Sequence, residues 1–385
     1  MSIIKKTKLN APLLYSTNRY SNGVKKIFIA ATKQNDGKTT VSLGLIRNFQ
    51  DRFKKVAFIK PIGQRYLEEE GLKIDEDSLL IEEVCGIKCG LKDMSPIAVE
   101  KGFTERYIVN PHRKLITKQI KESFHRVSKG QDLVIIEGTG HAGVGSVFDH
   151  SNATVAKMLG SKVIIISSGG IGRPIDEIVL NKVLFEKEGV KVLGVIINKV
   201  LSEKFDKINR LVRKGLERKG VDVLGVIPYN PMLSYPTVEQ VLEETDFELL
   251  CGKDYLEKYI SRIIVGAMEP RGAIKYIVDD SLLLTPGDRE DMIMTALGCF
   301  RDADEKRLKI SGIVLSGGIV PHRPVMDLLN KAQIPVLLAR ADTYTVASCI
   351  HDLTIKIGPQ DTNKINTVIK LIKDNVDLDK ILKGI

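Results

Sequence analysis

A chain of 385 residues, 43% of them apolar and 28% charged, is too long for one ordinary core and too apolar to stay disordered, so two to three domains are expected. The net charge of +10 comes from lysines spread along the chain, such as Lys204, Lys207, Lys214 and Lys219, and aromatic residues make up only 5% with no Trp. A nucleic-acid surface needs clustered cations with aromatic partners, so anionic small molecules are the expected ligands and nucleic acid is not. No stretch of about 20 apolar residues and no opening signal-peptide core is present, which gives no reason to expect a membrane and makes the expected location the cytoplasm. The five cysteines are odd in number and scattered; Cys85 and Cys89 form a C-x₃-C pair without a second pair or a nearby His, so buried small residues fit better than a metal site.

Residues 1–24 lack periodicity and read as an N-terminal extension. Lys26-Ile27-Phe28-Ile29-Ala30 is a short apolar run, and the apolar-periodic Val41-Ser42-Leu43-Gly44-Leu45-Ile46 follows it closely. Between them lies Ala31-Thr32-Lys33-Gln34-Asn35-Asp36-Gly37-Lys38-Thr39-Thr40. Strand, turn, then a helix opening on Gly-Lys-Thr is the context of a phosphate-binding P-loop. The unpaired N–H groups and dipole of the helix start favour an anion. Lys38 would reach the β- and γ-phosphates of a nucleotide, and the Thr39 hydroxyl would sit on Mg²⁺. Thr32 stands where G-x-x-x-x-G-K-S/T places its first glycine. Lys33 would either pair with phosphate charge or point to solvent.

Strands are expected at 26–31, 55–60, 132–137, 162–167, 191–197 and 222–227, with helices at 39–52, 112–128, 151–160, 174–189 and 203–219. The strands are apolar throughout rather than alternating, which implies burial on both faces. The fold class is therefore α/β: a P-loop, doubly wound, mostly parallel sheet, followed by a second, smaller α/β domain. That second series has strands at 261–266, 281–285, 310–315, 334–339 and 353–357. The proline-containing segment 228–252, with an acidic helix-like patch from Glu239 to Glu248, reads as the hinge. The expected divisions are 1–24, 25–235, a linker at 236–249, 250–360, and a polar helical tail at 361–385.

Glu137-Gly138-Thr139-Gly140-His141 ends the strand beside the P-loop strand, where a doubly wound fold places its ligand. Glu137 there would bind or orient Mg²⁺, and the glycines would let backbone approach phosphate or substrate. Lys60 ends another strand and would face the same crevice or simply solvent. Asp75, Glu76 and Asp77 precede a helix and have a capping role open to them. Asn198 would read an adenine edge or end its strand as a turn residue. His141 would carry a proton or merely line a turn.

The combination of Ala31–Thr39, Lys60-Pro61, Asp77, Glu137-Gly138-Thr139-Gly140 and Asn198 resembles dethiobiotin synthetase, an ATP- and Mg²⁺-dependent carboxylase-cyclase of the P-loop superfamily, across about 25–235. The resemblance implies phosphate contacts from Thr32, Lys33, Asn35, Asp36, Gly37, Lys38, Thr39 and Thr40. It further implies Thr39, Asp77 and Glu137 as Mg²⁺ ligands and Lys60 as the substrate-side lysine. Lys38, Lys60 and Glu137 become the catalytic set, with Asn198 and Pro228 in an adenine pocket, and a homodimer is allowed. Lys33 is where related ATPases can carry a lysine reaching a partner's phosphates.

Downstream, Thr285-Pro286-Gly287-Asp288-Arg289, Ser316-Gly317-Gly318 and Ala341-Asp342-Thr343-Tyr344-Thr345 resemble a DRTGG-type domain across about 250–360. There Asp288-Arg289 and Asp342-Thr343-Tyr344, at strand ends, would hold an anionic ligand, or Asp288 and Arg289 would simply pair with each other. The two together resemble the N-terminal region of long phosphotransacetylases, without an acetyltransferase domain, so acetyl transfer is not expected of this chain alone. The expected function is MgATP-dependent activation of a carboxylate or carbamate. The alternative is a slow or non-catalytic sensor of nucleotide and a small anionic metabolite.

Overall fold

The computed structural model describes residues 23–69, 71–298, 309–353 and 357–385. Six strands form the first sheet: β1 (Lys25–Ala31), β2 (Val56–Ile59), β3 (Leu133–Glu137), β4 (Lys162–Ser168), β5 (Val192–Val200) and β6 (Val223–Pro228). Their order is β6-β5-β4-β1-β3-β2, and every pairing is parallel. The P-loop strand β1 is thus central, with Ile29 opposite Glu137 and Ala31 opposite Ile166. All of these strands lie within two or three residues of their expected positions.

Both faces of the sheet are covered. Phe28, Ala30, Ile136 and Ile165 face Ile116, Ile120 and Phe124 of α3 (Arg113–Ser128), beside α4 (Asn152–Leu159), α5 (Arg173–Lys187) and α6 (Phe205–Glu217). Ile27, Ile29, Ile135 and Ile164 face α1 (Lys38–Gln50) and α2 (Glu76–Cys85) on the other side. Two-sided burial is what removes the polar alternation from these strands.

The second sheet contains β7 (Glu248–Cys251), β8 (Arg262–Val265), β9 (Ser281–Pro286), β10 (Gly312–Ser316) and β11 (Val336–Leu338), in the order β7-β11-β10-β9-β8. Only β7 runs antiparallel to its neighbour. Helices α7 (Glu290–Gly298) and α8 (Arg323–Leu329) cover one face, and α9 (Thr343–His351) covers the other. The expected hinge is more structured than its composition suggests. Val238 and Val241 of a short helix are fully buried in the second core, and Glu248–Cys251 adds a strand to its sheet. The expected N-terminal extension falls almost entirely outside the described residues, as do Cys299 and the centre of the expected strand 353–357.

The segment expected to be a polar tail is two amphipathic helices, α10 (Thr362–Asn375) and α11 (Leu378–Gly384). Ile365, Val368, Ile372, Leu378 and Ile381 belong to the core of the first sheet, because their helical spacing gathers them on one face. Contact with α1 is close: a Cβ on Gly44 would lie 2.3 Å from Ile372 Cγ1, and the Asn48 amide donates to the Ile369 carbonyl at 3.1 Å. Gly44→Ala should therefore destabilise the protein by about 1–3 kcal/mol through overpacking, although alanine is the better helix former by about 1 kcal/mol. Ile372→Ala should cost less in that background than in the parent, a coupling that a urea-unfolding double-mutant cycle measures.

Candidate active site

At the carboxyl end of β1 the chain turns through Thr32–Gly37 into α1. Asp36 is fully buried and ties the turn together. Its carboxylate accepts from the Thr32 hydroxyl at 2.7 Å, from the Lys33 N–H at 3.0 Å, and from the Ser168 hydroxyl at the end of β4. Thr32 also meets the Ser167 hydroxyl at 3.2 Å. The residue in the place of the first motif glycine thus serves as a strut. On the far side the Asn198 amide donates to the Asp36 carbonyl at 2.9 Å, and Lys199 Nζ donates to the Asn35 carbonyl at 2.7 Å. Gly37 has φ +94°, and a Cβ there would lie 2.3 Å from Asn198 Nδ2, so no side chain fits.

The turn opens on a cleft of about 480 Å³, lined by Asn35, Gly37, Lys38, Thr39, Thr40, Lys60, Asp77, Glu137, Asn198 and Pro228 among others. Among the described residues Lys38 has no ion-pair partner within 4 Å. Burial lowers its ammonium from the ordinary value, against the pull of Glu137, and Lys60 adds to the lowering. The Thr39 hydroxyl donates to Glu137 Oε1 at 3.2 Å.

Behind these lies a buried charge cluster. Lys60 Nζ stands 2.8 Å from Asp75 Oδ1 and 3.9 Å from Glu137 Oε1, and it pairs directly with Asp77. Burial alone would lower the Lys60 ammonium, but Asp77, Asp75 and Glu137 outweigh it and hold it above its ordinary value. Glu137 is pushed up to about 7, mainly by burial and then by Asp77, with Lys60 opposing. Asp75 is also raised by burial. Glu137 Oε2 and Asp75 Oδ2 are buried without a hydrogen-bond partner.

Of the residues singled out in the sequence, Lys38, Thr39, Thr40, Lys60, Asp77, Glu137, Asn35, Gly37, Asn198 and Pro228 share this cleft, whereas Thr32 and Asp36 brace it from behind. Lys33 is exposed and does not line the cleft. His141 is exposed and outside the cleft; its Nδ1 accepts from the Gly143 N–H at 3.2 Å, a turn-lining role. Arg289 pairs with Asp291 and donates to the Gly266 and Met268 carbonyls, rather than pairing with Asp288. Asp75 does cap α2 through the Asp77 N–H, as its position suggests, and holds Lys60 with its other contact.

Sequence reasoning did not find Asn152. Its amide bonds both the N–H and the carbonyl of Thr139 and the His141 carbonyl, which fixes the glycine-rich loop. His150 closes that loop from below, with Nε2 at 2.9 Å from the Thr117 hydroxyl and Nδ1 at 2.8 Å from the Phe148 carbonyl. Only a count of buried polar partners reveals either residue.

An AAA domain model matches residues 25–237, more than half of the chain. The chain belongs to the AAA domain family. A DRTGG domain model matches residues 240–353. Phosphate acetyltransferase of Nitratidesulfovibrio vulgaris is 25% identical over 92% of this chain and 51% of its own length. That of Pseudomonas putida is 26% identical over 91% of this chain and 50% of its own. The chain therefore spans about half the length of these curated relatives. Among solved structures, the MinC:MinD cell division complex of Aquifex aeolicus is similar at 17% identity, covering 55% of this chain and 84% of that one, with a TM-score of 0.36.

Two outcomes follow from the bracing contacts. Asp36→Ala should leave the Ser168 hydroxyl and the Lys33 N–H without this acceptor and the Thr32 hydroxyl with Ser167 alone, costing about 1–3 kcal/mol in urea unfolding and loosening the turn to protease. Burial holds the His150 imidazole below its ordinary value, so the unfolded chain takes up that proton first as the pH falls. Stability should drop on the acid side of about pH 6.5. His150→Gln should flatten that part of the profile when unfolding midpoints are compared at pH 7.5 and 5.5.

Proposed function

We propose that the cleft binds ATP together with Mg²⁺, and that its occupancy is regulatory. The observation that carries this reading is a convergence at the ends of β1 and β3. There the open N-terminus of a 13-residue helix, the unpaired Lys38 ammonium, and a Thr39 hydroxyl bonded to the Glu137 carboxylate share one cleft. Exposed N–H groups and a lysine suit phosphate oxygens.

The residues present fit a divalent cation. Among the described residues no group of three or more His, Cys, Asp or Glu is arranged to hold a metal alone. Mg²⁺ characteristically takes only one or two carboxylates and completes its shell with phosphate and water. Glu137, with a buried and unpartnered oxygen, would hold it with Asp77 and Thr39. When bound it would neutralise phosphate charge.

The regulatory use is favoured by Lys60. Asp75 and Asp77 already neutralise it, so Lys60 itself is not a free cation for an acceptor substrate. The second reading is ATP-dependent activation of a carboxylate or carbamate. It is supported by Glu137, which sits near neutrality and is suited to exchange a proton. Similarity to half of proteins named phosphate acetyltransferase supports placing the nucleotide response beside acetyl transfer to phosphate.

Lys38→Ala should weaken MgATP binding about 100-fold, or about 2.7 kcal/mol, with an unchanged circular dichroism spectrum. Unchanged affinity by calorimetry would refute the reading. Glu137→Gln should remove most of the Mg²⁺ dependence of ATP affinity while leaving metal-free binding close to the parent; equal Mg²⁺ titrations in both proteins would contradict that role. Phosphate release from MgATP with a panel of carboxylates separates the two uses. The regulatory reading expects no stimulation, and stimulation by one compound would establish the ligase-type reading.

A further inference from the structure

One wall of the cleft comes from the far end of the chain. Val368, Leu371 and Ile372 of α10 line it together with Ile227 and Leu233. An apolar recess continuous with a phosphate site is suited to the planar base of a nucleotide. The N-terminus of α10 is in turn pinned to both neighbouring segments. Lys364 is fully buried; its Nζ donates to the Tyr235 carbonyl at 2.8 Å, lies 3.6 Å from Asp361 Oδ2, and sits 5.2 Å from the centre of the Tyr259 ring. The Tyr259 hydroxyl donates to Asp361 Oδ1 at 3.3 Å. Tyr235 closes the first unit, Tyr259 leads into β8 of the second, and α10 touches the cleft.

We propose that α10 forms the base-binding wall of the nucleotide cleft, and that the Lys364–Asp361–Tyr259 cluster links occupation of that wall to the seating of the second unit. The inference rests on the nucleotide reading above and adds a base subsite and its regulation. Because α10 is held by both units, a base packed on Leu371 stabilises the arrangement in which the second unit is docked. Reciprocity requires that loosening the second unit weakens base binding by the same factor. The phosphate end is built from a different segment, the Thr32–Thr39 turn, and takes none of its phosphate-facing groups from α10.

The test compares MgATP with magnesium tripolyphosphate, which has the phosphates without the base. Leu371→Glu should lower MgATP affinity at least about tenfold, or about 1.4 kcal/mol, and leave tripolyphosphate affinity unchanged. Leu371→Ala, a milder change at a partly buried position, serves as a second variant should the first fail to fold. Lys364→Met keeps the buried volume, removes the ionic link, and should selectively weaken MgATP while accelerating amide hydrogen exchange in β8. MgATP added to the parent should slow that exchange. Loss of both ligands equally in the Leu371 variants, or β8 exchange indifferent to MgATP, would overturn the proposal. Failure of the parent to bind either ligand would instead sink the nucleotide reading itself.

Discussion

Three carboxylates, Asp75, Asp77 and Glu137, share one buried lysine at the carboxyl ends of β2 and β3, and this excess of negative charge is the constraint around which the site is built. Burying an ion costs several kcal/mol unless a partner and hydrogen bonds offset it. Lys60 offsets two of the three. Glu137 is left with the weaker contact, a single hydroxyl donor on one oxygen and no donor on the other. Its carboxyl therefore sits near neutrality instead of in the usual carboxylate range. A cation arriving with phosphates would complete this arrangement, and Lys38 and the α1 amides stand where those phosphates would need to be. The incomplete electrostatics and the open helix end point to one ligand class.

The fold supplies the rigidity such a site needs. Parallel strands buried on both faces hold Glu137 and the P-loop in a fixed register, with Ile29 directly opposite Glu137. The turn is not held by glycines alone. Asp36 links it to β4, and Asn198 links it to β5, so three adjacent strands fix the backbone that would meet the phosphates. A turn braced in this way loses little entropy on binding. The second unit reaches the same place by another route, through α10 packed on the helix that starts at the P-loop.

Much of this was legible in the residues. The apolar runs of the first sheet, the Gly-Lys-Thr turn and the acid ending Leu133–Glu137 are local signals, and period and composition locate them within a few residues. Features that join distant segments were not legible. Asp36 meets Ser168 across 132 residues, and Lys60 meets Asp77 only after a hairpin brings them together. The capping role visible for Asp75 concealed its second contact with Lys60. The polar majority of 361–385 hid an apolar face one side chain in three or four wide, and four residues from Glu248 were too few for a strand signal.

The most direct measurement is a crystal structure of the protein grown with Mg²⁺ and a non-hydrolysable ATP analogue. The account predicts phosphate oxygens on the amides of Gly37–Thr39 and on Lys38 Nζ, with a metal at about 2.0–2.1 Å from the Thr39 hydroxyl. Density for the nucleotide elsewhere, or a P-loop left empty at saturating concentration, would contradict it.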